Sequence, residues 1–200
     1  VLESDVRLSL ELYGLELAIA RRPRYLLVDG PLVPPVRPHL GPGYWPDELA
    51  VLTTRRVRRI EEALNEGIIA VGVSKRVRSE APGAELRASG RPAAVGPFVT
   101  RRDLVVCSYY VVAGPEGYPY TMNRVEIPCA TVESLGPVGL RRLLSMLYAS
   151  CASLGLPLPY GLHIADRISR SVVRGVIGLL ELTAKARGIV AVVPAEPWTP

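Results

Sequence analysis

Histidine, lysine and cysteine are scarce in this chain of 200 residues, and no apolar run is long enough to span a bilayer. Each shortage excludes something. A membrane helix needs about 20 consecutive apolar residues, so no membrane partner is expected, and with no charged-then-apolar leader at its start the chain reads as cytoplasmic. The three cysteines, Cys107, Cys129 and Cys151, are odd in number, far apart and joined by only His39 and His163. That spacing argues against a zinc site and against a disulfide framework, which leaves buried free thiols as the expectation. No Gly-x-Ser-x-Gly elbow occurs, and no Ser/His/Asp set stands out, so a small-molecule hydrolase has no support.

What is present is arginine. Only Lys75 and Lys185 among the 24 cationic residues are lysines, and the net charge is +5 with a pI near 9.3. Arginine holds phosphate through two parallel hydrogen bonds and never loses its charge, which suits nucleic acid; it is equally the compositional habit of a heat-adapted protein. Runs such as Arg55–Arg59 and Arg76–Arg91 are the candidate phosphate contacts. The hydrophobic share of 48% and charged share of 22% belong to a globular chain of one domain with one core.

The pattern along the chain predicts helices over Asp5–Arg22, Asp47–Glu66 (stopped by Gly67), Leu140–Leu154 and Tyr160–Arg187. Strands are expected at Tyr25–Asp29, Ile68–Val73, Leu104–Ala113, Thr121–Ile127 and Gly188–Val193. Six prolines make 30–46 an extended, stiff loop, and 79–102, rich in Gly, Pro, Arg and Ala, reads as a loop or flap. The class is α/β.

Asp29 is the residue to watch. It closes the apolar run Tyr25-Leu26-Leu27-Val28 and is followed by Gly30-Pro31, so its carboxylate stands at the carboxyl edge of a sheet, where ligands and metals bind. From Glu11 to its helix end is roughly 16 Å, and the strand returns roughly 13 Å, which sets Glu11 and Asp29 nearly level. Asp29 is otherwise a turn acid, and Glu11 otherwise a helix-surface acid. Asp166, early on a helix, either points back to the sheet edge or pairs with Arg170 at i+4. Lys75, at the end of a buried strand, suits a scissile phosphate or is an ordinary loop lysine. His163 reads as a phosphate donor, a metal ligand or a satisfied helix histidine. Arg124 and Glu126 alternate with Val125 and Ile127 on one strand, where a salt bridge is the plain account.

In combination, Leu10-Glu11, Tyr25-Leu-Leu-Val-Asp-Gly-Pro-Leu32, Ile69-Ala-Val-Gly-Val-Ser-Lys-Arg76, Asn123-Arg-Val-Glu-Ile-Pro128 and Gly155-Leu-Pro-Leu-Pro159 with Ile164-Ala-Asp166 resemble the NurA nucleases. The resemblance runs from about residue 10 to about residue 170. It implies an RNase H-like mixed sheet flanked by helices and a DNA nuclease using manganese or magnesium (Mn2+ or Mg2+). It also implies work alongside a HerA-type hexameric ATPase in DNA-end processing. On it, Glu11 and Asp29 match the family's metal-holding glutamate and aspartate. Lys75 matches the lysine of the glycine-valine-lysine strand, and Asp166 takes the place of a histidine or aspartate that follows alanine. Metal ligands would be Glu11, Asp29 and Asp166, with Lys75 steadying phosphate.

Two departures carry consequences. The family's first metal-binding aspartate lies on a strand before the glutamate helix, and the present sequence starts at Val1 almost directly in that helix. Residues 1–200 are therefore expected either to be a single nuclease domain lacking its amino-terminal strands or to have lost that ligand; in the first case the unpaired apolar flank at Tyr25–Asp29 recruits another chain, as in a homodimer, or aggregates. The tyrosine expected beside the first proline of a Gly-Tyr-Pro motif is Leu156, with Tyr160 as a shifted substitute. The rival expectation is a nuclease-dead DNA-binding or ATPase-docking module of the same fold.

Overall fold

A computed structural model describes residues 2–33, 47–75, 93–101, 104–113, 121–154, 156 and 159–187. The elements are α1 (Leu2–Ala20), β1 (Tyr25–Asp29), α2 (Asp47–Asn65), β2 (Ile69–Ser74), β3 (Ala93–Arg101), β4 (Val105–Ala113), β5 (Thr121–Pro128), α3 (Cys129–Leu154) and α4 (Tyr160–Ala186). The proline-rich residues 34–46, the arginine-rich residues 76–92, the hairpin connection 114–120 and the expected last strand 188–193 lie outside the described residues. Among the described residues no helix is long and apolar enough to cross a membrane.

The strands form a mixed sheet in the order β1-β2-β5-β4-β3, with β1 and β2 parallel and the other pairs antiparallel. This is the α/β class that the sequence pattern predicts, here as a mixed sheet with flanking helices. The parallel pair follows from α2, a crossover helix long enough to return the chain to the same end of the sheet. Gly67 stops α2 as expected: with φ of 78° it lets the Ile68 amide reach Ala63 O at 2.9 Å and its own amide reach Leu64 O at 2.9 Å, a Schellman closure.

Leu26, Ala70 and Val106 face one side, where α1 and α2 cover them with Leu12, Leu15, Val57, Ile60 and Ala63. Val71, Val73, Cys107, Tyr109, Val125 and Ile127 face the other, under Leu143, Leu147, Tyr148 and Cys151 of α3. The alternation of period two in each strand makes both assignments.

Three expectations are corrected. Residues 93–101 are a strand, β3, and not part of a loop: once β4 is in place, its free backbone edge pairs with 93–101 despite the glycine and proline there, because ladder hydrogen bonds outweigh weak local propensity. The helix expected from Leu140 starts at Cys129 and is interrupted at Gly136 (φ 61°), with Pro137 opening the next turn in the position where a missing N–H costs nothing. Cys107 and Cys129 are not free thiols. They form a disulfide with Cα atoms 5.0 Å apart, because Cys107 is paired with Ile127 across β4 and β5 and Cys129 is the next residue on that face. Cys151 is free and buried, as expected.

The described residues fall into two compact units, Val1–Leu162 and His163–Pro200. The first carries the sheet. In the second, the helix continuing from His163 bears Ile168, Val172, Val176, Leu179 and Leu182 as exposed apolar residues.

Candidate functional site

Parallel pairing brings the carboxyl ends of β1 and β2 to one edge, with Asp29 opposite Val73. Just past that register Lys75 Nζ donates to Asp29 Oδ2 at 2.8 Å. The pair is open to solvent, with side-chain exposures of 55% for Asp29 and 26% for Lys75. Behind it the chain turns at Gly30, whose φ of 108° is in the region that favours glycine, and the Gly30 amide donates to Val73 O at 2.9 Å.

The segment after Asp29 is held from three directions. Arg56 of α2 donates through Nη2 to Pro31 O at 3.0 Å and through Nη1 to Glu11 Oε2 at 2.7 Å. The Leu32 amide donates to Glu126 Oε2 at 2.9 Å, while Glu126 Oε1 meets Arg124 Nη2 at 2.8 Å. The third contact is an absence of atoms. A Cβ on Gly72 would lie 2.8 Å from Gly30 O and 2.9 Å from Leu32 N, so only glycine lets this loop close onto β2. Leu32 and Val33 then drop into the core. Asp29 is thus an exposed carboxylate on a fixed backbone, the condition for holding a ligand in one geometry.

The expected residues are distributed as follows. Asp29 and Lys75 are in contact. Glu11 is joined to the same loop through Arg56 and Pro31. Asp166 belongs to the second unit, where Arg170 Nη2 lies 3.1 Å from its Oδ2 across one helical turn, the i+4 pairing weighed above. Glu126 is buried at 7% exposure, and its carboxylate supports the loop. The arginine run of α2 is largely occupied: besides Arg56, Arg55 lies 3.6 Å from Glu16 and Arg59 lies 3.2 Å from Glu16 and 2.6 Å from Glu62. The Glu62 and then the Glu16 hydrogen bond hold the Arg59 guanidinium pKa above its ordinary value. The run therefore offers phosphate less charge than its sequence suggests.

Arg56 is the residue that sequence reasoning passed over. It had a signal: it falls on the same helical stripe as Val57, Ile60 and Ala63, where an arginine has to be paired.

Asp29 is an exposed carboxylate, and its exposed ion pair with Lys75 is worth only roughly 0–1 kcal/mol. Glu11 accepts its hydrogen bond from Arg56 Nη1. Among the described residues no group of three or more His, Cys, Asp or Glu side chains is placed to hold a metal. No protein-family profile, no curated protein and no solved structure matches the chain.

Proposed function

We propose that this chain is a metal-dependent DNA nuclease with an RNase H-like arrangement of its sheet, of the kind the NurA resemblance implies. The observation that carries the reading is the Asp29–Lys75 pair at the carboxyl edge of two parallel strands, on a loop locked by Arg56 and Glu126. In this reading Asp29 and Glu11 would hold Mn2+ or Mg2+, which when bound would neutralise phosphate charge and make water more acidic. Lys75, released from Asp29, takes a non-bridging oxygen of the scissile phosphate and offsets the charge that grows there as a water oxygen adds to phosphorus and the ester bond breaks. Arg56 keeps Glu11 and the backbone after Asp29 in register. DNA is the substrate, a HerA-type ATPase is the proposed partner, and the β1 edge is the proposed homodimer contact.

Cleavage of plasmid DNA by the purified chain, with and without manganese, tests this. Asp29→Ala is expected to remove manganese-supported cleavage while the circular dichroism spectrum stays that of the parent. Undiminished cleavage by Asp29→Ala overturns the site.

A further inference from the structure

The face of the sheet that carries Glu126 also carries the chain's single phenylalanine, and a bulge puts it there. Val95 pairs with Tyr110 across β3 and β4, and the next matched pair is Phe98 with Ser108, a one-residue slip. Continued without the slip, the register would set Phe98 opposite Cys107 and turn it to the α3 side. A bulge moves a side chain to the other face, and here it brings the Phe98 ring to 5.4 Å from the Tyr110 ring at 71°. Gly96 is what allows it, since a Cβ there would meet Ser108 O at 2.7 Å.

Tyr110 is opposite Arg124, and Arg124 is opposite Ser74. All three point to one face, in a row across β4, β5 and β2 that ends at Ser74; Lys75 and Asp29, next along β2 and at the end of β1, alternate to the other face. Phe98 is 37% exposed and the Arg124 side chain 32%. Among the described residues, Arg124 Nε and Ser74 Oγ are buried without a hydrogen-bond partner. These two donors belong to cross-strand partners, on a guanidinium whose Nη2 already meets Glu126 Oε1 and next to two aromatic rings. Bases stack on aromatic faces whatever their sequence, and phosphate oxygens satisfy such donors.

We infer that Phe98 and Tyr110 form a stacking platform for the bases of single-stranded DNA, with Arg124 and Ser74 receiving the adjoining phosphate. The inference takes its ligand from the nuclease reading and adds to it a strand preference. Ser74 lies two strand spacings from Tyr110, roughly 10 Å, a span of a nucleotide or two. A duplex keeps its bases stacked inside and cannot offer them.

The full chain is titrated in EDTA, at low and moderate salt, with a fluorescent oligothymidine and with a duplex of equal length, and a second oligonucleotide carries 2-aminopurine to report stacking. The single strand is expected to bind more tightly. Tyr110→Ala and Phe98→Ala each weaken it about 5- to 150-fold and abolish the 2-aminopurine response, whereas Tyr110→Phe retains both. Phe98→Leu and Tyr110→Leu, which keep bulk in the sheet, weaken binding likewise and serve where an alanine variant does not fold. Wild-type affinity in the leucine variants, or a duplex bound as tightly as the single strand, overturns the platform. Asp29→Ala separates the two readings: it is expected to bind the single strand normally, and if it also still cleaves, the nuclease site falls while the platform is judged on the binding data alone.

Discussion

The two faces of the sheet bury similar strands under different company. Under α3 the buried side chains are apolar or aromatic apart from Asn123, with one disulfide and one thiol. Under α1 and α2 the apolar residues share the space with Arg56 and Thr53, and the same face of β4 and β5 buries Ser108 and Glu126. Hydrophobic burial explains the first face apart from Asn123. It does not explain the second, because an ion pair withdrawn from water is seldom more stabilising than a hydrophobic pair of its size. The charged groups there converge on one segment, Gly30–Val33, and what they secure is the position of Asp29.

The largest expected effect comes from breaking that arrangement on one side only. Glu11→Ala strands Arg56 in the core and is expected to cost about 3 kcal/mol in urea unfolding, the low end for a half-exposed pair. Replacing Glu11 and Arg56 together with leucine and methionine should leave stability unchanged or raised, yet lose the cleavage proposed above. A double variant as unstable as Glu11→Ala would mean the pair stabilises the fold outright, and the contrast between the faces would fail.

On the α3 side, reduction of Cys107–Cys129 frees a closed loop of 22 residues and is expected to cost about 3 kcal/mol. The midpoint should shift alike for reduced protein and for Cys107→Ser. No shift in either would show that the bond adds nothing to an already packed face.

The same face predicts an alkaline effect. Burial pushes the Cys151 thiol up to about 11, and burial, reinforced by charge on Cys151, pushes the Tyr148 hydroxyl higher still. A raised folded-state pKa contributes stability below the unfolded value of about 9 that is lost as pH rises toward 11. Stability should fall across pH 9–11, and Cys151→Ala should flatten that slope; an unchanged slope would count against a buried thiol.

The smallest effect on stability is expected at the rim. Lys75→Ala removes an exposed ion pair and should change unfolding by under about 1 kcal/mol, while cutting the proposed cleavage at least tenfold. Equal losses in both measurements would make Lys75 structural.

Some of this was legible in the sequence. Gly67 marked a helix end because a left-handed residue closes the last turn whatever surrounds it, and Tyr25–Asp29 marked a strand because a short apolar run between breaks has few other uses. Asp29 at a carboxyl edge followed from those two local facts. Other features depended on neighbours distant in the chain. β3 is a strand because β4 offers an edge, and Cys107 meets Cys129 because the β4–β5 register places them on one face, 22 residues apart in sequence. Arg56 looked like one of a basic run until α1 supplied Glu11. Short-range sterics and hydrophobic period are written residue by residue, and the sequence by itself determined those. Pair identities across a sheet depend on register, which only the closed fold decides.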